Sequence, residues 1–256
     1  MAERLVAVGV PIYKSSPDAG ELVSLNQCIR VLGRHPVIFF APERLDMTFY
    51  ENHCKDKINF QVLRFDSAYF DGIKGYNSLM LSPQFYQSFL SYRYLLIYQL
   101  DAYVFRDELE AWCRKGYDYI GAPYIFVDLD TYPIKVFTKY RKLLKFLNRL
   151  CLVRYRFRHV GNGGFSLRHV RHTIRFLTLL KRFVKKWPLN EDSFFTHFGN
   201  LFFLLYKIAP EKEALQFSFE EKPDQAFKIN DNTLPFGCHA YARYNDNGFW
   251  DDKINP

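Results

Sequence analysis

A chain of 256 residues with 48% hydrophobic and 24% charged residues folds as one sizeable domain or two small ones, and its make-up excludes a disordered protein. Its apolar runs, of which Leu201 to Leu205 is typical, fall far short of the roughly 20 residues that cross a bilayer as a helix. The net charge of +8 is uneven: residues 131–187 hold 16 Lys and Arg with no acid, leaving 19 basic and 27 acidic groups on the other 199 residues.

Leu5 to Ile12 is a short continuous apolar run, the pattern of a strand buried on both faces. Glu21 to Leu32 carries Leu22, Leu25, Cys28, Ile29 and Leu32 at helical spacing, and Gly33 stops it. Val37 to Phe40 and Phe60 to Phe65 read as strands. Tyr76 to Leu90 reads as a helix despite Pro83, and Tyr94 to Phe105 is the strongest strand signal in the chain. A short helix at Glu108 to Lys115, a strand at Tyr117 to Pro123 and a basic amphipathic helix at Lys135 to Leu152 follow. The glycine-rich stretch around Gly161 leads into a helix from about His169 to Lys186. Another helix opens at Asn190, and the tail from Phe217 reads as loop-rich. Strands alternating with helices predict an α/β fold with an open, mostly parallel sheet. There is no internal repeat, low-complexity tract or linker, so one domain is expected.

The N-terminus lacks a basic start and a small-residue cleavage site, so no standard signal peptide is expected. Cys28, Cys54, Cys113, Cys151 and Cys238 are scattered without a Cys-x-x-Cys pair, which argues against a disulfide framework or a zinc knuckle. Free thiols in a reducing cytoplasm are the expectation.

Four places carry residues suited to chemistry. Asp101 ends a run of buried-type residues, where open α/β sheets meet their ligands. A carboxylate there either holds a divalent cation or caps the strand. Gly161-Asn-Gly-Gly164 lets backbone approach a ligand, or is simply a turn. It is neither a Walker loop nor a dinucleotide fingerprint. Glu191-Asp192 precedes an apolar helix, as first-turn charges or as a general base. His239, in Pro-Phe-Gly-Cys-His, is a ligand, a packing group or a surface group.

In order and spacing, Gln99-Leu100-Asp101, Gly161-Asn-Gly-Gly164, Glu191-Asp192 and the late His239 resemble the GT-A glycosyltransferases. Tyr119-Ile-Gly-Ala-Pro123 and Pro235-Phe-Gly237 extend the likeness to a group of glycosyltransferase-like domains, over about residues 5 to 243. The resemblance implies a GT-A-like single domain, its first half (about 1–107) binding a nucleotide-sugar donor and its second (about 108–256) the acceptor. Asp101 and His239 would hold a divalent cation, Mn²⁺ or Mg²⁺, between the donor phosphates. The family's Asp-x-Asp motif is incomplete here: read forward, Asp101-Ala-Tyr103 lacks the second Asp, and read backward, Gln99-Leu-Asp101 lacks the first. Pro11 and Tyr13, at the end of the first strand, would meet the nucleotide base, with Tyr76 and Asn77 as further base or ribose contacts beside Gln99 and Leu100. Asn162, Gly163 and Gly164 would shape the sugar and acceptor pocket. Asp192, or its neighbour Glu191, would deprotonate the acceptor hydroxyl, favouring inversion at the anomeric carbon. The implied acceptor is a glycan or a lipid-linked saccharide, as in polysaccharide biosynthesis.

The basic segment allows a further reading. Lys135, Lys139, Arg141, Lys142, Lys145 and Arg149 lie near helical spacing with Phe137, Leu144, Phe146 and Leu147 among them. Such a helix suits an anionic membrane surface, hence a cytoplasmic protein peripheral to the inner face, or is a solvated basic face. Nucleic-acid binding lacks a recognisable module and leaves the carboxylates unexplained. A glycoside hydrolase with paired carboxylates and an inactive, transferase-like binding scaffold complete the alternatives.

Overall fold

The computed structural model describes residues 3–124, 135–150 and 157–254. The first half runs β1 (Arg4–Pro11), α1 (Ala19–Leu32), β2 (Val37–Pro42), α2 (Thr48–Cys54), β3 (Phe60–Phe65), α3 (Gly72–Met80), α4 (Pro83–Gln87), β4 (Tyr92–Tyr98) and β5 (Tyr103–Val104). The second runs α5 (Leu109–Arg114), β6 (Tyr119–Ile120), α6 (Lys135–Arg149), β7 (Phe165–His169), α7 (Val170–Leu179), α8 (Lys181–Val184), α9 (Glu191–Leu201), α10 (Glu211–Phe217), β8 (Ser218–Phe219), α11 (Pro223–Ile229) and β9 (Gly237–Cys238).

A six-stranded sheet of order β3-β2-β1-β4-β7-β6 forms the centre, and a small three-stranded sheet of order β5-β9-β8 lies beside it. Strands β3, β2, β1 and β4 are parallel, whereas β7 runs antiparallel to β4 with Leu96 opposite Leu167. The apolar runs of β1 and β4 are buried on both faces, as continuous hydrophobic strands require.

Local sequence explains both ends of α1. Asp18 caps α1 in a reciprocal box with Glu21, satisfying amides that a helix start leaves unpaired. Gly33 ends the helix with φ −62°, so its use is room: a Cβ would overlap the Ile29 carbonyl and lie 2.6 Å from Ile58 Cγ2.

Four expectations are corrected. The helix expected from Tyr76 to Leu90 is two helices, α3 and α4, because Pro83 cannot donate a backbone hydrogen bond and opens the second helix instead. The strand expected from Tyr94 to Phe105 stops at Tyr98. Residues 99–102 turn, with Ala102 N donating to Gln99 O at 2.9 Å, and β5 joins the small sheet. The glycine-rich stretch feeds a strand, β7, before the helix, and that helix breaks at Leu180 into α7 and α8. The tail expected to be loop-rich contains α10, α11 and two strands. Residues 151–152 of the expected basic helix lie outside the described residues.

Candidate functional site

The parallel strands deliver their carboxyl ends to two adjoining cavities. One, of about 190 Å³, is lined by Pro11, Ile12, Tyr13, Lys14, Tyr50, Gln99, Leu100 and Asp101 among others. The other, of about 440 Å³, shares Tyr13 and Gln99 with the first and adds Tyr76, Asn77, Asn162, Gly163, Gly164, Glu191, Asp192, Glu220, His239 and Arg243. The residues that the sequence singled out, spread from Pro11 to His239, therefore meet in one place.

The Gly-Asn-Gly-Gly stretch makes that meeting sterically possible. A Cβ on Gly161 would overlap the Tyr124 hydroxyl, one on Gly163 the Glu191 carboxylate, and one on Gly164 the His239 ring while lying 2.6 Å from Gln99 Oε1. Each glycine clears a different side chain. Asn162 adopts the left-handed region at φ 65°, a conformation Asn tolerates better than most residues. Its Oδ1 accepts from Gly164 N at 3.0 Å, and Gly164 O accepts from Gln99 N at 2.8 Å, tying the stretch to the end of β4.

Gln99 Oε1 and Asp101 Oδ1 each lie 3.1 Å from His239 Nε2, and Glu220 Oε1 lies 3.0 Å from His239 Nδ1. Burial works to strip the ring of its proton, but the hydrogen bonds and charges of Asp101 and Glu220 outweigh it and push the His239 pKa up to about 10. For Asp101, burial favours the neutral acid, and the His239 contact overrides it and lowers the pKa.

Glu191 and Asp192 open α9 but point to different partners. Glu191 is buried, and both its oxygens take Arg168 Nη2, at 3.0 and 3.2 Å. Burial pushes its pKa up to about 7 against the pull of Arg168, with the Asp192 charge adding to the rise. Arg168 is fully buried on β7, and Glu191 holds it cationic although burial opposes its charge. Glu191, expected as the alternative base, is thus engaged as a counterion. Asp192 Oδ2 accepts from the Tyr124 hydroxyl at 2.6 Å and from Asn162 N at 3.2 Å, at the rim of the larger cavity.

Asn77 lines the same cavity, yet its amide bridges inward: Oδ1 accepts from Glu191 N at 3.1 Å and Nδ2 donates to Asn190 Oδ1 at 3.2 Å, capping α9 from another helix. Among the described residues, two buried polar atoms of the cavity wall have no close hydrogen-bond partner: Asn162 Nδ2, and the Tyr76 hydroxyl, which lies near Gln99. Buried donors without a partner are unusual, and both belong to residues that line the larger cavity. Tyr13 stands 41% exposed at the mouth, edge-on to Phe70 and tilted against Tyr76.

Sequence reasoning missed Tyr124, Arg168, Glu220 and Arg243. Arg168 left one trace, its place next to the glycine-rich stretch in a segment that alternates Phe165, Ser166, Leu167 and Arg168; the others carry no local signal. A second polar cluster, Asp118, His169 and His172, brings potential ligand atoms within 4.8 Å of one another. Its groups satisfy each other: His172 Nδ1 meets Asp118 Oδ1 at 2.6 Å, Asp118 Oδ2 accepts from Lys207 N at 2.7 Å, and His169 Nδ1 accepts from His172 N at 3.3 Å.

Residues 59–239 match the family described as "Protein of unknown function (DUF5672)". The chain belongs to the DUF5672 family. No curated protein matches it. Among solved structures, this DUF5672 chain superposes on mouse xyloside xylosyltransferase 1 with a TM-score of 0.55 and 11% identity, covering 95% of the chain and 99% of that protein. The galactosyltransferase LgtC, solved in complex with donor and acceptor sugar analogs, gives 0.51 at 10% identity over 92% and 86% of the two chains. Core-mannan synthase A of Aspergillus fumigatus, in an Mn/GDP form, gives 0.50 at 13% identity over 78% and 70%. These neighbours are GT-A glycosyltransferases, so the expected fold, a GT-A-like α/β domain, is the fold of this chain.

Proposed function

We propose that this DUF5672 chain is a glycosyltransferase that moves a sugar from a nucleotide-sugar donor to a hydroxyl of a glycan or lipid-linked saccharide. The observation that carries the proposal is the convergence of Gln99, Asp101, Asn162 to Gly164, Asp192 and His239 on two adjoining cavities that share Gln99, at the carboxyl edge of a GT-A sheet. In this reading residues 1–107 bind the donor. Pro11, Tyr13 and Leu100 line the smaller cavity for the base, and Tyr76, tilted against Tyr13, lines the larger one. Residues 108–256 bind the acceptor.

A divalent cation fits the donor set. Asp101 Oδ1, Gln99 Oε1 and His239 Nε2 are oxygen and imidazole ligands suited to Mn²⁺ or Mg²⁺, and the missing Cβ of Gly164 keeps their meeting point clear. When bound, such a cation neutralises a departing diphosphate. Asp192 is the proposed base: it accepts the proton of the acceptor hydroxyl at Oδ1 or Oδ2, while Tyr124 and Asn162 N fix its orientation. A positioned base contributes about 10²–10⁴ in rate. Glu191 serves this site through Arg168, as a buried anchor for the start of α9. Attack by the activated hydroxyl from the face opposite the nucleotide inverts the anomeric centre; a product with the donor's own anomeric configuration by NMR refutes that step.

The deciding experiment is a thermal-shift panel of nucleotides and nucleotide-sugars with Mn²⁺, Mg²⁺ or EDTA. One nucleoside diphosphate should stabilise the protein. Asp192→Asn should retain that stabilisation and lose about 10²–10⁴ of the transfer rate. No stabilisation by any of the panel refutes the transferase reading.

We place the enzyme on the cytoplasmic face of a membrane. Leu143, Phe146 and Leu150 of the α6 region are half exposed or more and lie at i, i+3 and i+7, among exposed Lys139, Lys142, Lys145 and Arg149. That is the pattern of an interfacial helix. Among the described residues no helix is long and apolar enough to cross a membrane.

A further inference from the structure

The Gln99-Leu100-Asp101 turn offers one carboxylate where a cation bound between phosphates ordinarily has two nearby, and the structure places another at one remove. The small sheet is a clamp for it. Strand β8 pairs in parallel with β9, Phe219 opposite Cys238, and His239 N donates to Phe219 O at 3.0 Å, so the residues that follow the two strands, Glu220 and His239, lie side by side. Strand β9 also pairs with β5, Tyr103 opposite Cys238, which draws the turn holding Asp101 to the other side of the same ring. The result is a line of contacts: Glu220 Oε1 to His239 Nδ1 at 3.0 Å, then His239 Nε2 to Asp101 Oδ1 and Gln99 Oε1 at 3.1 Å each. Gly164 seals the back of the ring without touching it through a side chain.

A histidine bonded to a carboxylate through Nδ1–H presents its lone pair at Nε2 once a cation displaces the proton there, and the carboxylate strengthens that lone pair as a ligand. We propose that Glu220 is a positioning residue of the candidate cation site: its carboxylate fixes the His239 ring with Nε2 turned toward Asp101 and Gln99, and supplies from outside the ligand set the negative charge that Gln99 lacks. The inference rests on the metal-assisted reading above. Glu220 touches no ligand position itself. A carboxylate in this place lets the chain dispense with the second Asp of the family motif and still present two negative charges along one line to a divalent cation.

The test measures Mn²⁺ binding to the full-length protein by calorimetry and by electron paramagnetic resonance, with no nucleotide or acceptor present. Wild type should bind, Asp101→Ala should lose binding, and Glu220→Gln should bind about 10–100-fold more weakly, with Glu220→Asp recovering part of the loss. Unfolding of the Glu220→Gln protein in EDTA should stay close to wild type, separating this role from a structural one. His172→Ala, which removes the other Asp–His cluster, should leave Mn²⁺ affinity unchanged. If Asp101→Ala abolishes binding while Glu220→Gln leaves it intact, Glu220 has no such role and the metal reading survives. If wild type does not bind, or only His172→Ala abolishes binding, both fall.

Discussion

Arg168→Met tests the buried anchor beneath the site. Arg168 is fully buried, and Met is an unbranched, adaptable replacement for its stem. The guanidinium donates to Tyr86 Oη at 2.7 Å, to Ser166 Oγ at 3.1 Å and to both oxygens of Glu191. Tyr86 keeps another bond through its own hydroxyl, to Met80 O at 2.9 Å, and Ser166 keeps Gly163 O at 3.0 Å. Only Glu191 loses its main partner, and it lies buried. Removing one member of a buried pair costs about 3–5 kcal/mol, whereas replacing both with apolar side chains is often neutral. At about 2–4 °C per kcal/mol, Arg168→Met should lower Tm by roughly 6–20 °C at pH 7. The Arg168→Met/Glu191→Met double variant should regain most of it. The pH dependence follows from the direction of the shift. Glu191 in the folded wild type has its pKa raised to about 7 from an ordinary 4.5. Its contribution is therefore most favourable below 4.5 and is lost as pH rises through 7. Without Arg168 the carboxylate is still harder to ionise, so the defect should shrink when the comparison is made at pH 5. Differential scanning calorimetry at both pH values decides. A loss under about 2 °C, or a double variant as unstable as the single, refutes the reasoning.

Three other outcomes follow from the geometry. Gly164→Ala places a methyl group against the His239 ring and 2.6 Å from Gln99 Oε1, so Mn²⁺ affinity by calorimetry should fall at least about tenfold while far-UV circular dichroism stays native. Tyr76→Phe removes a buried hydroxyl that lies near Gln99 without a close hydrogen bond, so urea unfolding of the ligand-free protein should change by no more than about 1 kcal/mol while donor binding weakens. Phe146→Asp puts a charge among Leu143, Leu150 and their flanking lysines, so sedimentation with anionic liposomes at low salt should drop to the level of neutral liposomes.

How far the sequence could be read depended on how local each cause was. Strand β3 was legible to the residue, and α1 nearly so, because a short apolar-rich run, helical spacing of apolar residues and a stop glycine act within a few positions. The cap at Asp18 set the start that spacing alone left two residues late. The breaks at Pro83 and Leu180 and the early end of β4 blurred boundaries without hiding elements. Strand β7 was hidden because Ser166 and Arg168 read as polar surface residues. Their partners lie far along the chain, Tyr86 at 82 positions and Glu191 at 23. Strands β8 and β9 are two residues each and exist only through their pairing. The same logic divides the site. Asp101, Gly161 to Gly164, Glu191, Asp192 and His239 belong to compact motifs with a recognisable order. Tyr124 and Glu220 act through contacts across 68 and 19 positions, and nothing beside them in sequence marks those partners.

The glycine-rich stretch shows what kind of information such a motif holds. Three side chains from separate segments, Tyr124, Glu191 and His239, occupy the space where Cβ atoms of Gly161, Gly163 and Gly164 would stand. The motif is therefore a record of what crowds around it, and an inactive binding scaffold with the same neighbours would need it equally. The unpartnered donors of Tyr76 and Asn162 separate the alternatives further. A buried donor left unmade costs about 1–3 kcal/mol in the empty protein, a cost that a ligand with well-placed oxygens removes. That argues for retained binding. Retained chemistry rests on Asp192, whose carboxylate is oriented by Tyr124 and Asn162 N at the cavity rim, although a scaffold has no need of a base there. The Asp192→Asn comparison, donor binding against transfer, therefore separates an enzyme from a scaffold, whereas substitutions in the glycine stretch disable both.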